Sequence, residues 1–414
     1  LLCAVLISFF LIYLCMPLIK GEWTVAVDYA AFYAAGRLIN EGKFSDIYDL
    51  ENLEGIEREL LASNGGQVDA DFEVKAILYL PIFIFPFCLL AMMDFPISLL
   101  VWLGINIIAL VGYLRFFIKK IAGKVFPWKF LLILLVSYPV LQNFHYGQVN
   151  VWMVICLGEF LRALLSKKFY LAGIWLGGLL IKPHLLILGL LFLLFQRKFK
   201  TLLGFAVSVI SLTGFSFVLI GTDGLMCMME GVREAAGGGV SSSPMYMMNW
   251  RMLSSYLSFF TNPIIGWTFL GLASLMTAAI PLIIFRKNRE IDSQEFGVGL
   301  LGVIAATMLV AYHAHLHTAI ILIPILLYLL AKGWVDQKLV VFWVAIPYGV
   351  NLLIYLIGGL ILSNLLPLGF GIIIEIGFGT GMLIANLLLL VWAVRWKLKG
   401  DQRPERIAST TEIS

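Results

Sequence analysis

The chain has 414 residues, 61% of them hydrophobic and 13% charged, with a mean hydropathy of +0.96. Soluble domains run at about 45–50% apolar and about 25% charged. That gap excludes a water-soluble globular enzyme. The formal charge of +4 does not point to nucleic acid or another acidic partner, because in a membrane protein the distribution of Lys and Arg matters more than their sum.

Taken in order, apolar runs with few charges lie at 1–19, 76–93, 96–114, 130–146, 149–165, 169–181, 183–195, 201–220, 263–285, 296–312, 316–331, 339–357 and 368–394. A bilayer core is about 30 Å thick. The chain opens Leu-Leu-Cys without Met, which reads as the loss of a short N-terminal piece. No A-x-A-like cleavage site follows Leu1–Ile19, so this run reads as a retained membrane helix. Two amphipathic stretches come next, Ala30–Asn40 and Leu50–Ala62, separated by Gly42 and Asp46-Ile-Tyr-Asp49. Leu50, Leu53, Ile56, Leu60 and Leu61 recur at helical spacing, which predicts helices lying on the membrane surface. The run 76–93 contains Pro81 and Pro86 and suits a re-entrant segment better than a clean span.

Basic clusters lie at Arg115 to Lys129, Arg162 to Lys168, Arg197 to Lys200, Arg286 to Arg289, Lys332 to Lys338, and from Arg395 onward. Short loops rich in Lys and Arg face the cytoplasm. If 76–93 does not cross, one orientation satisfies every cluster. The expectation is an all-α polytopic membrane protein of about twelve transmembrane helices, one domain over 1–414, with both termini inside. Thirteen spans with the N-terminus outside would instead put 21–75 in the cytoplasm. In the twelve-span reading the external segments are 21–95, 145–150, 182–184, 221–262, 313–317 and 358–367, and 396–414 is a cytoplasmic tail. The Gly-, Ser- and Met-rich loop 221–262 is expected to be mobile. No internal repeat is visible. Cys3, Cys15, Cys88, Cys156 and Cys227 form neither a disulfide framework nor a metal-ligand spacing.

The unusual polar residues collect on the external side: Asp28 after the first helix, His145, Gln148 and Asn150 at one turn, Lys182 and His184 at another. Asn249 and Arg251 lie in the second large loop, and His313, His315 and His317 at the end of a run without charges. Each has a plainer reading. Asp28 is also a residue type that caps the helix starting near Ala30, and Asn150 one that caps the next span. Lys182 is harder to dismiss. Its flanking runs of about 13 residues give about 20 Å of helix, which leaves the ammonium below the membrane surface. Intramembrane cations are costly and functional by default. At helical spacing His313 and His317 share a face while His315 turns away. No Asp or Glu lies near them, and no metal is expected. Glu159 can pair with Arg162; Glu375 has no evident partner; Asp69-Ala-Asp71 carries little weight.

At these residues the chain resembles glycosyltransferase family 87, the polyprenyl-phosphate-sugar-dependent mannosyltransferases of the GT-C superfamily. The matching pieces are Asp28-Tyr-Ala-Ala-Phe32-Tyr33-Ala-Ala-Gly36-Arg37-Leu, Ile47-Tyr48-Asp49 and Tyr79-Leu-Pro81-Ile-Phe83. They continue with Gly147-Gln148-Val149-Asn150, Lys182-Pro183, Asn249-Trp250-Arg251, and the His313–His317 cluster before Leu322-Ile323-Pro324. Phe144-His-Tyr-Gly-Gln148-Val-Asn150 is also similar, more distantly, to the His-Phe-Gln-Tyr-Asn signature of eukaryotic lumenal glucosyltransferases. Two departures stand out: Tyr-Leu-Pro replaces the usual Tyr-Pro-Pro, and His317-Thr318 stands where the family has Tyr-Asp.

The resemblance implies a GT-C fold, a polyprenyl-phosphate-sugar donor, a glycolipid or cell-envelope glycan acceptor, and a catalytic base in the acidic residue after the first helix, Asp28. It implies no cofactor. Inverting transfer needs one carboxylate to take the acceptor hydroxyl proton and cations to stabilise the departing phosphate. Tyr29, Lys182, His184, Arg251, Asn249, His313, His317, His145, Gln148 and Asn150 are the candidate substrate-binding residues. The expected location is the cell membrane, with the active site extracytoplasmic. The competing class is a secondary transporter or flippase of a lipid-linked sugar, but those usually show repeats and polar residues at the bilayer midplane.

Overall fold

The stretch rich in Ala and aromatic residues after the first apolar run forms helix α1 (Val27–Asn40), and its apolar repeat partner forms α2 (Leu50–Ser63). Gly42, at φ +78°, and a 3₁₀ turn at Asp46–Tyr48 reverse the chain between them. Helix α2 has the expected amphipathic character, whereas α1 is buried on all sides from Tyr29 to Gly36 and so is an inner helix rather than one lying on a surface, because its small and aromatic residues pack all round. The computed structural model describes residues 27–63, 77–121, 128–237, 247–287, 289–363 and 371–401, together with 8, 12, 244 and 365. Most of the run 1–19, the pair Asp69 and Asp71, and the tail from 402 lie outside the described residues.

The run 76–93 contains α3 (Pro81–Ile84) and α4 (Pro86–Leu90), each opened by a proline whose missing N–H is not needed in a first turn. Together they rise about 15 Å, half the hydrocarbon thickness. They pack under α1, where Gly36 lets the Phe87 backbone approach closely. Helix α5 (Phe95–Ile121) follows.

The run 130–146, read as one span, is broken into α6 (Trp128–Leu135) and α7 (Tyr138–His145). Ser137 is extended and Pro139 follows it, which ends the first helix and starts the second. Next come α8 (Asn150–Leu165), α9 (Phe169–Gly177) and α10 (Ile187–Phe195). Two 3₁₀ turns, Gly178–Ile181 and Pro183–Leu185, bracket Lys182 between the last two.

Helix α11 (Phe199–Gly237) kinks at Gly221, which takes φ +64°. The loop expected to be mobile from 221 is therefore partly helical, through the end of α11 and α12 (Trp250–Phe260). The chain continues through α13 (Pro263–Ile284), α14 (Gln294–Val310), a 3₁₀ segment Leu316–Leu322, and α15 (Ile323–Ala331). It ends with α16 (Gln337–Leu362) and α17 (Gly371–Asp401).

The described residues are all-helical, with no strand and one isolated bridge between Met247 and His315. Among the described residues five helices are long and apolar enough to cross a membrane: Phe95–Ile121, Phe199–Arg233, Pro263–Ile284, Gln337–Ile361 and Gly379–Lys399. Five shorter apolar stretches accompany them, including Phe169–Ile181, Pro183–Phe195 and Leu316–Ala331. Several apolar runs are thus short broken helices rather than continuous spans. The bundle centres on α14 and α15, which are apolar and buried along nearly their whole length.

Charge is distributed by end. Gln196, Lys198, Arg289, Asp292, Glu295, Lys332 and Lys397 interlock at one end of α10, α14, α15 and α17. Glu159 pairs with Arg162 at 2.8 Å near the end of α8, as the sequence predicted. The Lys182–His184 turn and the His313–His317 segment lie at the opposite ends of α10, α14 and α15.

Candidate functional site

Asp28 lies in the first turn of α1, where a helix favours negative charge. The helix is anchored beneath it. Tyr29 is fully buried, its hydroxyl meets Ser98 Oγ, and its ring stacks on Trp102 with 6.1 Å between centroids. Tyr29 therefore packs α1 in place rather than joining the polar cluster. Trp102 donates its indole N–H to Gly147 O at 2.8 Å. Gly147 takes φ +65°, a left-handed value that only glycine adopts cheaply, and turns the chain from α7 into α8. Just beyond it, Gln148 is 6% exposed and donates Nε2–H to Asp28 Oδ2 at 2.6 Å.

Tyr79 lies beside Gln148 and within the field of Asp28. Loss of water around its hydroxyl, and then the Asp28 charge, hold its phenol above the ordinary value. Tyr48 pins this residue by donating to Tyr79 O at 2.7 Å. The sequence offered Tyr79 as part of a motif but gave it no role. Trp102 lay in an apolar run with nothing to mark it.

Lys182, 6% exposed, approaches from the other side. Its Nζ is 3.2 Å from His317 Nε2. An ammonium only donates, so His317 accepts on Nε2 and is assigned its proton on Nδ1. The Asp28 carboxylate is near enough to Lys182 for the two charges to attract.

The three histidines form a continuous row. His315 Nε2 is 3.2 Å from His313 Nε2, and the His315 ring stacks on His317 at 5.6 Å. This corrects the expectation that His315 turns away. That expectation used α-helical spacing, whereas residues 313–315 are not helical and His315 is extended at φ −83°, ψ 163°. His184 closes the row, with Nε2 3.1 Å from His313 O. Among the described residues no group of three or more His, Cys, Asp or Glu side chains is arranged to hold a metal.

Asn249 caps α12 by accepting Met252 N–H, and its amide donates to Ala311 O at 2.6 Å. It ties the two chain segments together. Arg251 lies 3.8 Å over the Tyr312 ring, beside the histidine row. His145 is one step further out, packed on Tyr146, whose ring meets His317 edge-on at 5.9 Å.

Unspent polarity surrounds this cluster. Asn143 and Asn150 are 1% and 0% exposed, yet neither amide makes a hydrogen bond among the described residues. Gln148 Oε1, His317 Nδ1 and Thr318 Oγ1 are likewise without one. Buried polar groups nearly always pair; isolated exceptions occur elsewhere, Thr201 Oγ1 at the basic end among them, but here several neighbouring amides and a histidine share the condition, which marks a site. Below it lies a small apolar cavity of about 40 Å³. It runs from Leu179, Leu185 and Leu186, flanking the Lys182–His184 turn, down to Leu190, Leu193 and Phe160.

A bundle of apolar helices with an acid–base cluster gathered at one end defines a multi-pass membrane enzyme. The family model of glycosyltransferase family 87 matches residues 78–311, more than half of the chain, and the chain belongs to that family. It is a membrane glycosyltransferase. No curated protein and no solved structure matches the chain. The match contains Tyr79, Gln148, Lys182, Asn249 and Arg251 and lies between Asp28 and the histidine row.

Proposed function

We propose that the chain moves a sugar, mannose by resemblance, from a polyprenyl-phosphate donor to a lipid-linked or cell-envelope glycan, with inversion, on the extracytoplasmic face of the cell membrane. The observation that carries this reading is the polar cluster in which Asp28 meets Gln148 and Lys182 meets His317 at the helix ends remote from the basic loops. Basic loops favour the cytoplasm, so this end faces out. Nucleotide-sugars are absent there, and the apolar side chains beneath Lys182, among them Leu179, Leu185 and Leu186, suit contact with a lipid-carried donor.

In the transfer the acceptor hydroxyl oxygen forms a bond to the anomeric carbon while Asp28 takes its proton. The bond from the anomeric carbon to the phosphate oxygen breaks, and its electron pair leaves with the polyprenyl phosphate. Lys182, supported by His317 and Arg251, meets the charge that grows on that phosphate. No second carboxylate is required, unlike in retaining hydrolysis.

Purified protein in lipid nanodiscs, incubated with labelled polyprenyl-phosphate-mannose and membrane lipid extract, should transfer label to a lipid-linked product. No transfer from any polyprenyl-phosphate-sugar, together with movement of such lipids across vesicles, would establish the flippase reading instead. Single cysteines at positions 70 and 125 should label from opposite sides of the membrane. Labelling from the same side would overturn the twelve-span topology.

A further inference from the structure

We propose that Gln148 is a positioning residue for the base, holding the Asp28 carboxylate in one orientation and in its charged form, and that Trp102 is the clamp that keeps the two together. This rests on the reading of Asp28 as the base. A carboxylate only accepts, so the contact at 2.6 Å is made by the Gln148 amide N–H. The amide is almost fully buried, which limits the positions it can take.

Both ends of this contact are held by one side chain. The Trp102 indole stacks on Tyr29, the neighbour of Asp28, and donates to the carbonyl of Gly147, the neighbour of Gln148. Trp102 is itself buried against Phe87, with ring centroids 4.7 Å apart. The Gly147–Gln148 turn is closed by Gln148 N–H donating to Asn143 O at 2.9 Å. Trp102 thus resists any shift of α1 against α5 and keeps Asp28 in register with the Gly147–Gln148 turn.

The arrangement has a chemical consequence. An N–H donated to a carboxylate favours the ionised form, so the base stays ready at lower pH than an unsupported one. Two other titratable groups bear on Asp28, the Lys182 ammonium and the Tyr79 phenol. Tyr79 also shares a hydrogen bond with Gln148, so Tyr79→Phe, which leaves the amide in place, is the control that separates the two effects.

The test compares Gln148→Ala, Gln148→Glu and Trp102→Phe with wild type, using full-length protein in nanodiscs and polyprenyl-phosphate-mannose as donor. Gln148→Ala should lower kcat by about 10-fold to 10²-fold, the scale of a misplaced reacting group. The dissociation constant of the donor should stay within about twofold, since the phosphate is held elsewhere. The acid limb of kcat/KM against pH should move up by about one pH unit. Gln148→Glu keeps the side chain's length and guards against a simple failure of packing. Its like charge should move the limb further up. Trp102→Phe keeps the stack but not the indole N–H, and should shift the limb in the same direction by less.

An unmoved acid limb with weaker donor binding would make Gln148 a substrate contact and overturn the proposal. Unchanged kinetics in both Gln148 variants would overturn it as well. If Asp28→Asn abolishes transfer while the Gln148 limb is unmoved, only the positioning role fails. If Asp28→Asn transfers at the wild-type rate, the base assignment fails and this proposal with it.

Discussion

The two ends of the bundle use the same residue types in opposite ways. At the basic end, the buried Gln196 amide donates to Phe285 O at 2.6 Å and Lys287 O at 2.8 Å, and accepts from Arg289 N–H at 2.8 Å. Glu295 lies between Arg289 and Lys397, and Glu159 takes both Arg162 and Tyr113. At the other end Asn143, Asn150, His317 and Thr318 leave buried polar atoms without hydrogen bonds among the described residues. An amide with every group engaged builds structure, whereas amides held in place but unengaged are poised for a substrate. Substitutions at the two ends should therefore separate activity from stability.

The sharpest break in that comparison is Asp28→Asn. It preserves shape and one acceptor oxygen but removes the charge that draws off the proton. Transfer should fall by about 10²-fold or more, the scale of general-base catalysis. Donor binding and thermal stability should stay near wild type. Transfer assays beside a thermal melt check this, and a near-normal rate would place the base elsewhere.

Lys182→Ala comes next. Removing one donor to a developing anion costs about 10²-fold in turnover, and here the donor's affinity should fall too. The His317 ring left behind loses its partner. Intact folding with unchanged kinetics would remove Lys182 from the site.

A smaller effect is expected at Gly189. A Cβ there meets nothing within 4 Å, and the residue lines the apolar cavity. Gly189→Leu should fill part of that space and raise KM for a long-chain donor. The expected rise lies at the low end of the range for one methylene in an apolar pocket, about 10-fold. A donor truncated to one or two isoprene units should be little affected. Equal effects on long and short donors would mean that the chain does not enter the cavity.

The smallest effect on activity, and the largest on stability, should come from Gln196→Ala at the basic end. Each buried partner left unmet costs about 1–3 kcal/mol. The melting temperature should drop while kcat per folded molecule is kept. Loss of kcat without a change in melting would erase the distinction between the ends.

Much of this was legible in the residues alone. The amphipathic helix α2 follows from apolar spacing, because a surface helix must bury one stripe, whereas the burial of α1 on every side did not. The family was legible in an ordered set of short motifs, and the Glu159–Arg162 pair in a spacing of three residues along a helix. Lys182 stood out because an ammonium flanked by short apolar runs lies where water is scarce and needs a polar partner. All of these depend on neighbours in sequence, for which spacing is a reliable ruler.

What the tertiary structure decided depends on distant neighbours. The break of the 130–146 run at Ser137 and Pro139 had a local signal, but the placing of α7 against the Leu316–Leu322 segment did not. His315 joined the row because the backbone there is extended, and a periodicity argument presupposes a helix. Gln148 and Asp28 are 120 positions apart, and Lys182 and His317 are 135 apart. Trp102, an aromatic residue in an apolar run, became the clamp only when α5 packed beside both α1 and the Gly147 turn. Composition and spacing specify which residues must be buried and which helices form. Which buried amide meets which carboxylate is set by how those helices pack, and packing couples residues that no local pattern connects.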